Sequence, residues 1–154
     1  MAMNNSALIC KPLTEIAEIE RAQKNRIYPA GSIYVQVSAC KKNTDEIWNE
    51  LVEPGTIDGK FAVVIPKAGI IPHYLVIALE KATAEWHSRY IGTNINISMD
   101  AFKYLRVMYH EDIKAQLEVI EAIRAVEQLM QQEKEIVNNL KESKRWFLQG
   151  MFAS

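Results

Sequence analysis

Several features that mark particular classes of protein are scarce or absent in this sequence. It has two cysteines, too few for a disulfide framework, so we expect a reducing, cytoplasmic compartment. No charged and then apolar leader opens the chain. The longest apolar runs, at 61–66 and 74–79, are far shorter than the roughly 20 residues of a membrane span. These absences predict a soluble protein without a membrane partner.

Motifs for catalysis are also missing. There is no Walker-type phosphate loop and no Gly-x-Gly-x-x-Gly turn, so we expect no nucleotide or S-adenosylmethionine cofactor. The candidate metal ligands lack the Cys-x-x-Cys spacing of zinc sites: Cys10, Cys40, His73, His87 and His110. The sequence predicts neither a metal site nor an enzyme. The alternative is an enzyme that uses a histidine or a cysteine, with Cys40 as nucleophile because Lys41 and Lys42 favour its thiolate.

Length and charge restrict the number of domains and the kind of partner. The chain of 154 residues is 49% hydrophobic and 24% charged, which is typical of one folded domain with at most an appendage. Residues 1–110 hold 12 basic and 11 acidic side chains, and residues 111–154 hold 6 and 8. Because neither part has excess positive charge, composition alone gives no sign of nucleic-acid binding.

The first part of the chain mixes strand and helix patterns. Residues 12–21 fit either a helix or a strand, and we leave both open. Alternation at 33–37 predicts a strand with one core face and one polar, addressable face. The apolar run 61–66 predicts a buried strand, and Pro72 predicts the first turn of a helix. Ser98 is a suitable N-cap for a short helix before a last strand near 104–109, so residues 1–110 predict a small mixed α/β domain.

From His110 to Phe147 the chain contains no glycine and no proline, and its apolar residues follow a heptad pattern. We predict a long coiled-coil-forming helix at 111–154, and hence an α+β protein. The residues repeated at alternating steps of four and three are called the seam: Val119, Ile123, Val126, Met130, Glu133, Val137, Leu140, Lys144 and Phe147. Ala122, Leu129 and Ile136 form its flank. About 35 helical residues span roughly 50 Å, so much of the helix should extend beyond its domain.

The helix ends in large apolar side chains: Trp146, Phe147, Met151 and Phe152. Residues of these types are enriched in protein interfaces, so the seam and this end predict a docked partner. The charges of Glu133 and Lys144 weaken pairing but can set its register and orientation. Two alternatives stay open: the helix folds back so that the aromatic end caps the chain's own core, or the seam faces solvent at the two charges.

Three segments resemble the specificity subunit of type I DNA restriction-modification enzymes. "PLTEIAEIERAQKNRIYPAGSIYV" is similar to the opening of a target recognition domain. "NINISMDAFKYLRVMYHEDIKAQLEVIEAI" is similar to its closing strand and the start of the conserved helix, with Gln116 at the family's characteristic glutamine. "LKESKRWFLQGMF" resembles the end of that helix and is the most specific of the three.

The resemblance implies a DNA specificity protein without catalytic residues. Family members usually hold two recognition domains and two helices, whereas this sequence has one of each, which implies a half-subunit that forms a homodimer. The two helices would pair antiparallel as a spacer, and two recognition domains would read a bipartite DNA site with inverted halves. Modification methyltransferase subunits, bound by the helices, would carry the chemistry.

Two polar loops are the candidate contacts to double-stranded DNA. Lysine and arginine bind phosphates, and asparagine can bond an adenine edge through two atoms. The candidates are Lys41, Lys42, Asn43 and Thr44 in one loop, and Arg89, Tyr90, Thr93, Asn94 and Asn96 in the other. Tyr34, Gln36 and Ser38 on the polar strand face can join them. The alternatives are solvated loops, and a scaffold or competitor that binds the partner subunits through its helix without reading DNA.

Overall fold

Ten secondary-structure elements lie in the part of the chain that the computed structural model describes, residues 7–38, 48–90 and 97–153, with 85–90 described by their backbone only. In chain order they are β1 Leu8–Pro12, α1 Leu13–Ile16, β2 Ala17–Arg21, β3 Ile33–Gln36, β4 Trp48–Glu50, β5 Phe61–Pro66, α2 Pro72–Tyr90, α3 Met99–Lys103, β6 Arg106–His110 and α4 Ile113–Phe152. The predicted α+β class is confirmed, because a small sheet-containing unit precedes one long helix.

The chain divides into two compact units. The globular unit is Met1–Glu118 and the helical unit is Val119–Ser154. Our predicted boundary at residue 110 coincides with the end of β6, whereas the globular unit also includes the first turns of α4. None of the helices described is both long enough and apolar enough to cross a membrane.

A four-stranded antiparallel sheet forms the centre of the globular unit, in the order β2-β5-β3-β4. The predicted buried strand is confirmed as β5, which lies inside the sheet with Ala62, Val63 and Val64 fully buried. Residues of this kind suit an inner strand because both of its faces are covered. The predicted helix is confirmed as α2, and it buries the apolar side that begins at Tyr74 and Leu75.

Our prediction that one face of β3 is polar and addressable is wrong at Tyr34, whose side chain is partly buried. The Tyr34 ring packs edge-on against Phe61, with the ring centroids 5.4 Å apart. Both residues pack against an apolar cluster that includes the buried residues Tyr28 and Val63. The physical reason is that the segments before β3 and β5 fold over this face, and Tyr28 forms a β-bridge to Gly55. The alternation of apolar and polar residues in β3 does not show that a distant segment covers its polar face.

A separate two-stranded ribbon pairs β1 with β6, from Leu8 opposite His110 to Pro12 opposite Arg106. We did not predict β1. The ambiguous segment 12–21 contains both structures that we left open, since α1 is followed at once by β2. The backbone N–H of Leu13 donates to Leu105 O at 2.8 Å and so connects this turn to the start of β6.

Gln116, in the second turn of α4, is fully buried and holds three chain segments together. Its Nε2 donates to Gly69 O at 3.0 Å and to His110 O at 2.8 Å, and its Oε1 accepts from Ile71 N at 2.9 Å. All three partners are backbone groups at a part-buried junction, so one buried amide satisfies three backbone hydrogen bonds there. The amide therefore stabilises the junction between β6, α4 and the loop before α2.

Tyr74 strengthens the same junction from α2. Its hydroxyl accepts from His110 N at 2.9 Å and shares a hydrogen bond with His110 Nδ1 at 2.8 Å. Burial raises the pKa of the Tyr74 hydroxyl above its usual value, while the bond from the His110 backbone opposes that change. The hydroxyl is therefore neutral at ordinary pH and can serve both bonds.

Candidate nucleic-acid interface and helix seam

The two predicted DNA-contact loops lie outside the part of the chain whose side chains are described, whereas Tyr34, Gln36 and Ser38 lie inside it. Lys41, Lys42, Asn43 and Thr44 fall in the segment 39–47, and Thr93, Asn94 and Asn96 in 91–96. Arg89 and Tyr90 belong to α2, but only their backbone is described. The assignments in the two loops stay predictions.

Described residues that border the two predicted loops lie together in the fold. Ser38 directly precedes the segment 39–47, which contains the first loop, and Ile97 directly follows the second loop. The Ile97 N–H donates to Val37 O at 2.8 Å, at the end of β3. This hydrogen bond joins residues 60 positions apart in sequence, and we call it the attachment point.

Arg21 is held at this attachment point by two neutral acceptors. Its Nε donates to Gly59 O at 2.8 Å, and one of its terminal nitrogens donates to Ser38 Oγ. The side chain is exposed, and among the described residues no carboxylate pairs with it. A guanidinium has five N–H donors, so three stay available beyond the two that position it. Arg21 thus presents a fixed positive charge to solvent.

Lys60 lies beside Arg21 in a turn that begins at Asp58. The Asp58 carboxylate accepts from Lys60 N at 3.0 Å, and Asp58 O accepts from Phe61 N at 3.1 Å. Lys60 O in turn accepts from both Val37 N and Ser38 N, which connects the turn to the end of β3. The exposed Lys60 ammonium lies 5.8 Å from the Phe61 ring centroid. We call Arg21, Ser38 and Lys60 the strand-end cluster.

The strand-end cluster has the chemistry of a phosphate-binding surface, because it combines two cations with a hydroxyl on rigid backbone. Sequence reasoning found Ser38 but missed Arg21 and Lys60. Arg21 ends a strand and Lys60 follows a Gly turn, so a search for cations at strand ends could have selected them. Nothing in the sequence shows that they lie together, because strands β2 and β5 are 39 residues apart at this end.

A second group of polar residues, at the turn before β3, is internally neutralised. Arg26 pairs with Glu20 and lies over the Tyr28 ring, 5.0 Å from its centroid. The Tyr28 hydroxyl donates to Glu20 Oε1 at 2.6 Å. Burial raises the pKa of the Tyr28 hydroxyl, and the bond to Glu20 raises it further. Because the Arg26 charge already has a partner, this turn is a weaker candidate for phosphate than the strand-end cluster.

The residues that we considered for metal or nucleophile chemistry do not form a site in the described part of the chain. No cluster of three or more histidine, cysteine or acidic side chains occurs there. His73 faces Glu50, with Nδ1 and Oε2 3.5 Å apart, and His110 bonds Tyr74. Cys10 is an exposed free thiol on β1. Cys40 and the side chain of His87 are not among the described atoms.

The seam of the helical unit is uncovered in the single chain. Its apolar residues from Ile123 to Leu140, together with flank residues Leu129 and Ile136, are between 36% and 64% exposed. Trp146, Phe147 and Phe152 are 80%, 73% and 80% exposed. The alternative in which these aromatics cap the chain's own core is therefore wrong for the described residues. A continuous apolar stripe of this kind is typical of a helix that pairs with another helix.

Comparison with known proteins gives likeness of structure without likeness of sequence. No protein-family model and no curated protein matches the chain. A chain from a type I restriction-modification system, studied for its assembly and conformational transition, superposes with a TM-score of 0.75 at 11% identity, over 97% of this chain and 45% of that one. The HsdS subunit from Thermoanaerobacter tengcongensis gives 0.64 at 10% identity, over 88% and 41%.

The type I restriction-modification S subunit from M. genitalium gives a TM-score of 0.56 at 14% identity, over 97% of this chain and 46% of that one. This chain therefore spans less than half the length of the solved chains that it matches. The likeness extends over nearly all of its residues, so it includes both the globular unit and the long helix. The protein has the fold of the type I restriction-modification S subunits.

Proposed function

We propose that this chain is a non-enzymatic DNA-specificity protein of a type I restriction-modification system. It reads DNA through its globular unit, pairs with a second copy through the seam, and recruits modification methyltransferase subunits. The observation that carries the proposal is the fold likeness over 97% of the chain to two chains of type I restriction-modification systems, one of them an S subunit. Methyl transfer would belong to the methyltransferase subunits, as the resemblance to specificity subunits implies.

The strand-end cluster supports DNA contact by the globular unit. Ser38 of this cluster and Ile97, which is hydrogen-bonded next to it, border the two predicted loops, so we expect the loop side chains to act together with Arg21 and Lys60. Phosphate contacts would position the protein on the duplex, and the asparagines would read base edges. Because the chain has a net charge of −1, we expect weak binding to free DNA and tight binding only with the partner subunits.

The exposed seam supports pairing of two copies. An uncovered apolar stripe from Ile123 to Leu140 is costly in water, and a second identical helix can cover it. Two-fold symmetry then makes the two DNA half-sites identical and inverted. The aromatic end, at Trp146 and Phe152, is the candidate anchor for the methyltransferase subunits, because Trp and Phe are enriched at interface hot spots.

Deleting this gene should abolish methylation at one bipartite, inverted-repeat DNA motif in the host genome. Long-read sequencing, which reads the modified bases directly, would measure this change. Restoring the gene with Lys41, Lys42 and Arg89 replaced by alanine should leave the motif unmethylated, whereas restoring the unaltered gene should recover it. If the motif is methylated equally in all four strains, the chain acts as a scaffold or competitor and does not specify DNA.

Replacing either cation of the strand-end cluster should reduce the salt dependence of DNA binding. For Arg21→Gln or Lys60→Gln, in the complex with the methyltransferase subunits, we expect the slope of log K against log salt to fall by about 0.9, the value for one lost phosphate contact. Fluorescence anisotropy across a salt series would measure it. Arg106→Gln, at an exposed arginine of the β1–β6 ribbon, is the control and should keep the slope.

An unchanged slope in both cluster variants would remove Arg21 and Lys60 from the DNA interface. An equal fall in the Arg106 variant would indicate a general effect of charge. Arg26→Gln makes a second control, because that side chain is already paired with Glu20 and should contribute less than Arg21.

A further inference from the structure

Glu133 and Lys144 are the charged residues of the seam, and their positions restrict how a second helix can lie along it. Both side chains are exposed, and neither forms an ion pair with another described residue. A charge enclosed between two helices destabilises their pairing unless an opposite charge meets it. A pairing that covers the whole seam must therefore give both residues a partner.

Parallel pairing does not meet this requirement. In a parallel pair aligned at equal residue numbers, Glu133 faces the partner's Glu133 and Lys144 faces the partner's Lys144. Each of these contacts brings like charges together inside the seam, which opposes association. In the parallel arrangement both charged layers are therefore repulsive, and neither charge finds an opposite partner.

Antiparallel pairing can satisfy both charges at once. Along such a pair the residue numbers of one helix increase while those of the facing helix decrease. The numbers of two facing seam residues therefore always add up to the same value. Glu133 faces the partner's Lys144 when this sum is 277. Two-fold symmetry then produces the same contact a second time, and all four seam charges of the dimer are paired.

The same register places apolar residues opposite each other in three further layers, each formed twice by symmetry. Val137 faces the partner's Leu140, Met130 faces the partner's Phe147, and Val126 faces the partner's Met151. A shift of one heptad in either direction brings Glu133 opposite the partner's Val137 or the partner's Met151. Either shift encloses an unpaired charge, so the charges select one register among those that the heptad pattern allows.

Gly150 supplies an independent observation that fits this register. Glycine within a helix costs about 1 kcal/mol relative to alanine. A Cβ added to Gly150 would contact nothing within 4 Å, so nothing in the single chain requires glycine there. Gly150 continues the flank of Leu129 and Ile136 at steps of seven, with Ser143 between.

Each side chain is inclined toward the N-terminus of its own helix, so it reaches across the pair about one residue before its own position. In this register, flank residues of the two helices therefore meet where their residue numbers add up to 279. The partner's Leu129 then lies beside Gly150, and the partner's Ile136 lies beside Ser143. Each large side chain meets a small one. On the opposite flank Lys134 and Lys141 are exposed in the single chain and can extend into solvent.

We propose that the occupant of the seam is a second copy of this chain, antiparallel and centred between Asn138 and Asn139, with two Glu133–Lys144 ion pairs that set the register. This inference rests on the dimer of the proposed function, whose antiparallel direction the resemblance implies, and adds the register of its helices and the residues that set it. It assigns the two seam charges a structural role in selecting one geometry.

Cysteine cross-linking tests the register directly. Met130→Cys and Phe147→Cys would be placed in separate full-length chains that carry Cys10→Ser and Cys40→Ser and tags of different size. After mixing and oxidation we expect a disulfide between the two different chains and none between identical ones, because a disulfide needs Cα atoms less than about 7 Å apart. Efficient disulfides within each chain type alone would show parallel pairing and overturn the proposal.

Leu140→Cys mixed with Met130→Cys is the matched control, because it reports the register shifted by one heptad. A cross-link there in place of the one between positions 130 and 147 would overturn the register while leaving the dimer intact. If the unaltered chain has a mass of 17.6 kDa in light scattering at tens of micromolar, the homodimer of the proposed function fails instead. The two failures are therefore distinguishable.

Charge reversal tests the role of the ion pairs. Glu133→Lys or Lys144→Glu alone should weaken dimerisation about tenfold or more, since both contacts between positions 133 and 144 then bring like charges together. The double variant, which exchanges the two charges, should recover a dissociation constant close to that of the unaltered chain. Analytical ultracentrifugation would measure all four proteins. A double variant as weak as the single variants would show that the two residues do not face each other.

Discussion

Val126→Asp combined with Met130→Asp is expected to convert the proposed homodimer into a monomer. Both residues lie in the exposed part of the seam, at 53% and 64% exposure in the single chain. Two such substitutions place four carboxylates in one dimer interface, where like charges repel and lose their hydration. Light scattering should show the mass fall from twice 17.6 kDa to 17.6 kDa itself.

Gln128→Asp with Gln132→Asp is the matched control for the seam variant. It adds the same two charges at the same spacing on the same helix, but outside the seam and its flank. The control should remain dimeric and equally helical by circular dichroism. If the Val126 and Met130 variant keeps the mass of a dimer, the seam is not the dimer interface, and the proposed homodimer must form elsewhere.

The second large effect is expected for Gln116→Leu. Leucine has a similar volume but leaves Ile71 N–H, Gly69 C=O and His110 C=O without their buried partner. Each lost hydrogen bond is worth about 0.5–1.5 kcal/mol, so the globular unit should lose roughly 3 kcal/mol of unfolding free energy. Denaturant unfolding should measure this loss, and hydrogen exchange should speed up at the Ile71 amide.

Gln131→Leu is the control for Gln116→Leu, because it makes the same exchange on the same helix at an exposed position. The Gln131 amide bonds only Glu135 among the described residues, on the helix surface, so the unfolding free energy should change by less than about 0.5 kcal/mol. Equal losses in the two variants would show that the buried hydrogen bonds of Gln116 are not what stabilises the junction. Slow Ile71 exchange in Gln116→Leu would lead to the same conclusion.

Gln116 also connects the two parts of the proposed function. The helix that carries the seam begins in the globular unit, and Gln116 fixes its first turns to β6 and to the loop before α2. A protein that presents a DNA-reading unit and a pairing helix needs a rigid junction between β6 and α4 if the two activities are to be coupled. The resemblance noted from the sequence placed a characteristic glutamine at this residue, and the structure supplies its physical role.

The elements found correctly from the sequence are those specified by neighbouring residues. The heptad repeat of α4, the alternation of β3, the apolar run of β5 and the Ser98 cap of α3 depend on residues less than about one helical turn or a few strand positions apart. Ser98 Oγ accepts from Asp100 N at 3.3 Å, as a cap should. Local spacing carries this information because helix and strand periods are local.

The elements that the sequence left undecided or hidden depend on partners far along the chain. The ribbon of β1 with β6 joins residues about 100 positions apart, and neither strand alone shows which segment it pairs with. The segment 12–21 became a turn of helix and then a strand because β5 offered a complete ladder only from Ala17 onward. The partial burial of Tyr34 likewise required the distant turn at Tyr28.

The two candidate sites divide in the same way. The seam was predicted from the sequence because its residues lie on one face of one helix, and the tertiary structure added that this face is uncovered. The strand-end cluster could be found only in three dimensions, because Arg21, Ser38 and Lys60 meet through hydrogen bonds across three strands. A helix face is determined by local periodicity, whereas a strand-end site is determined by which strands pair and in which register.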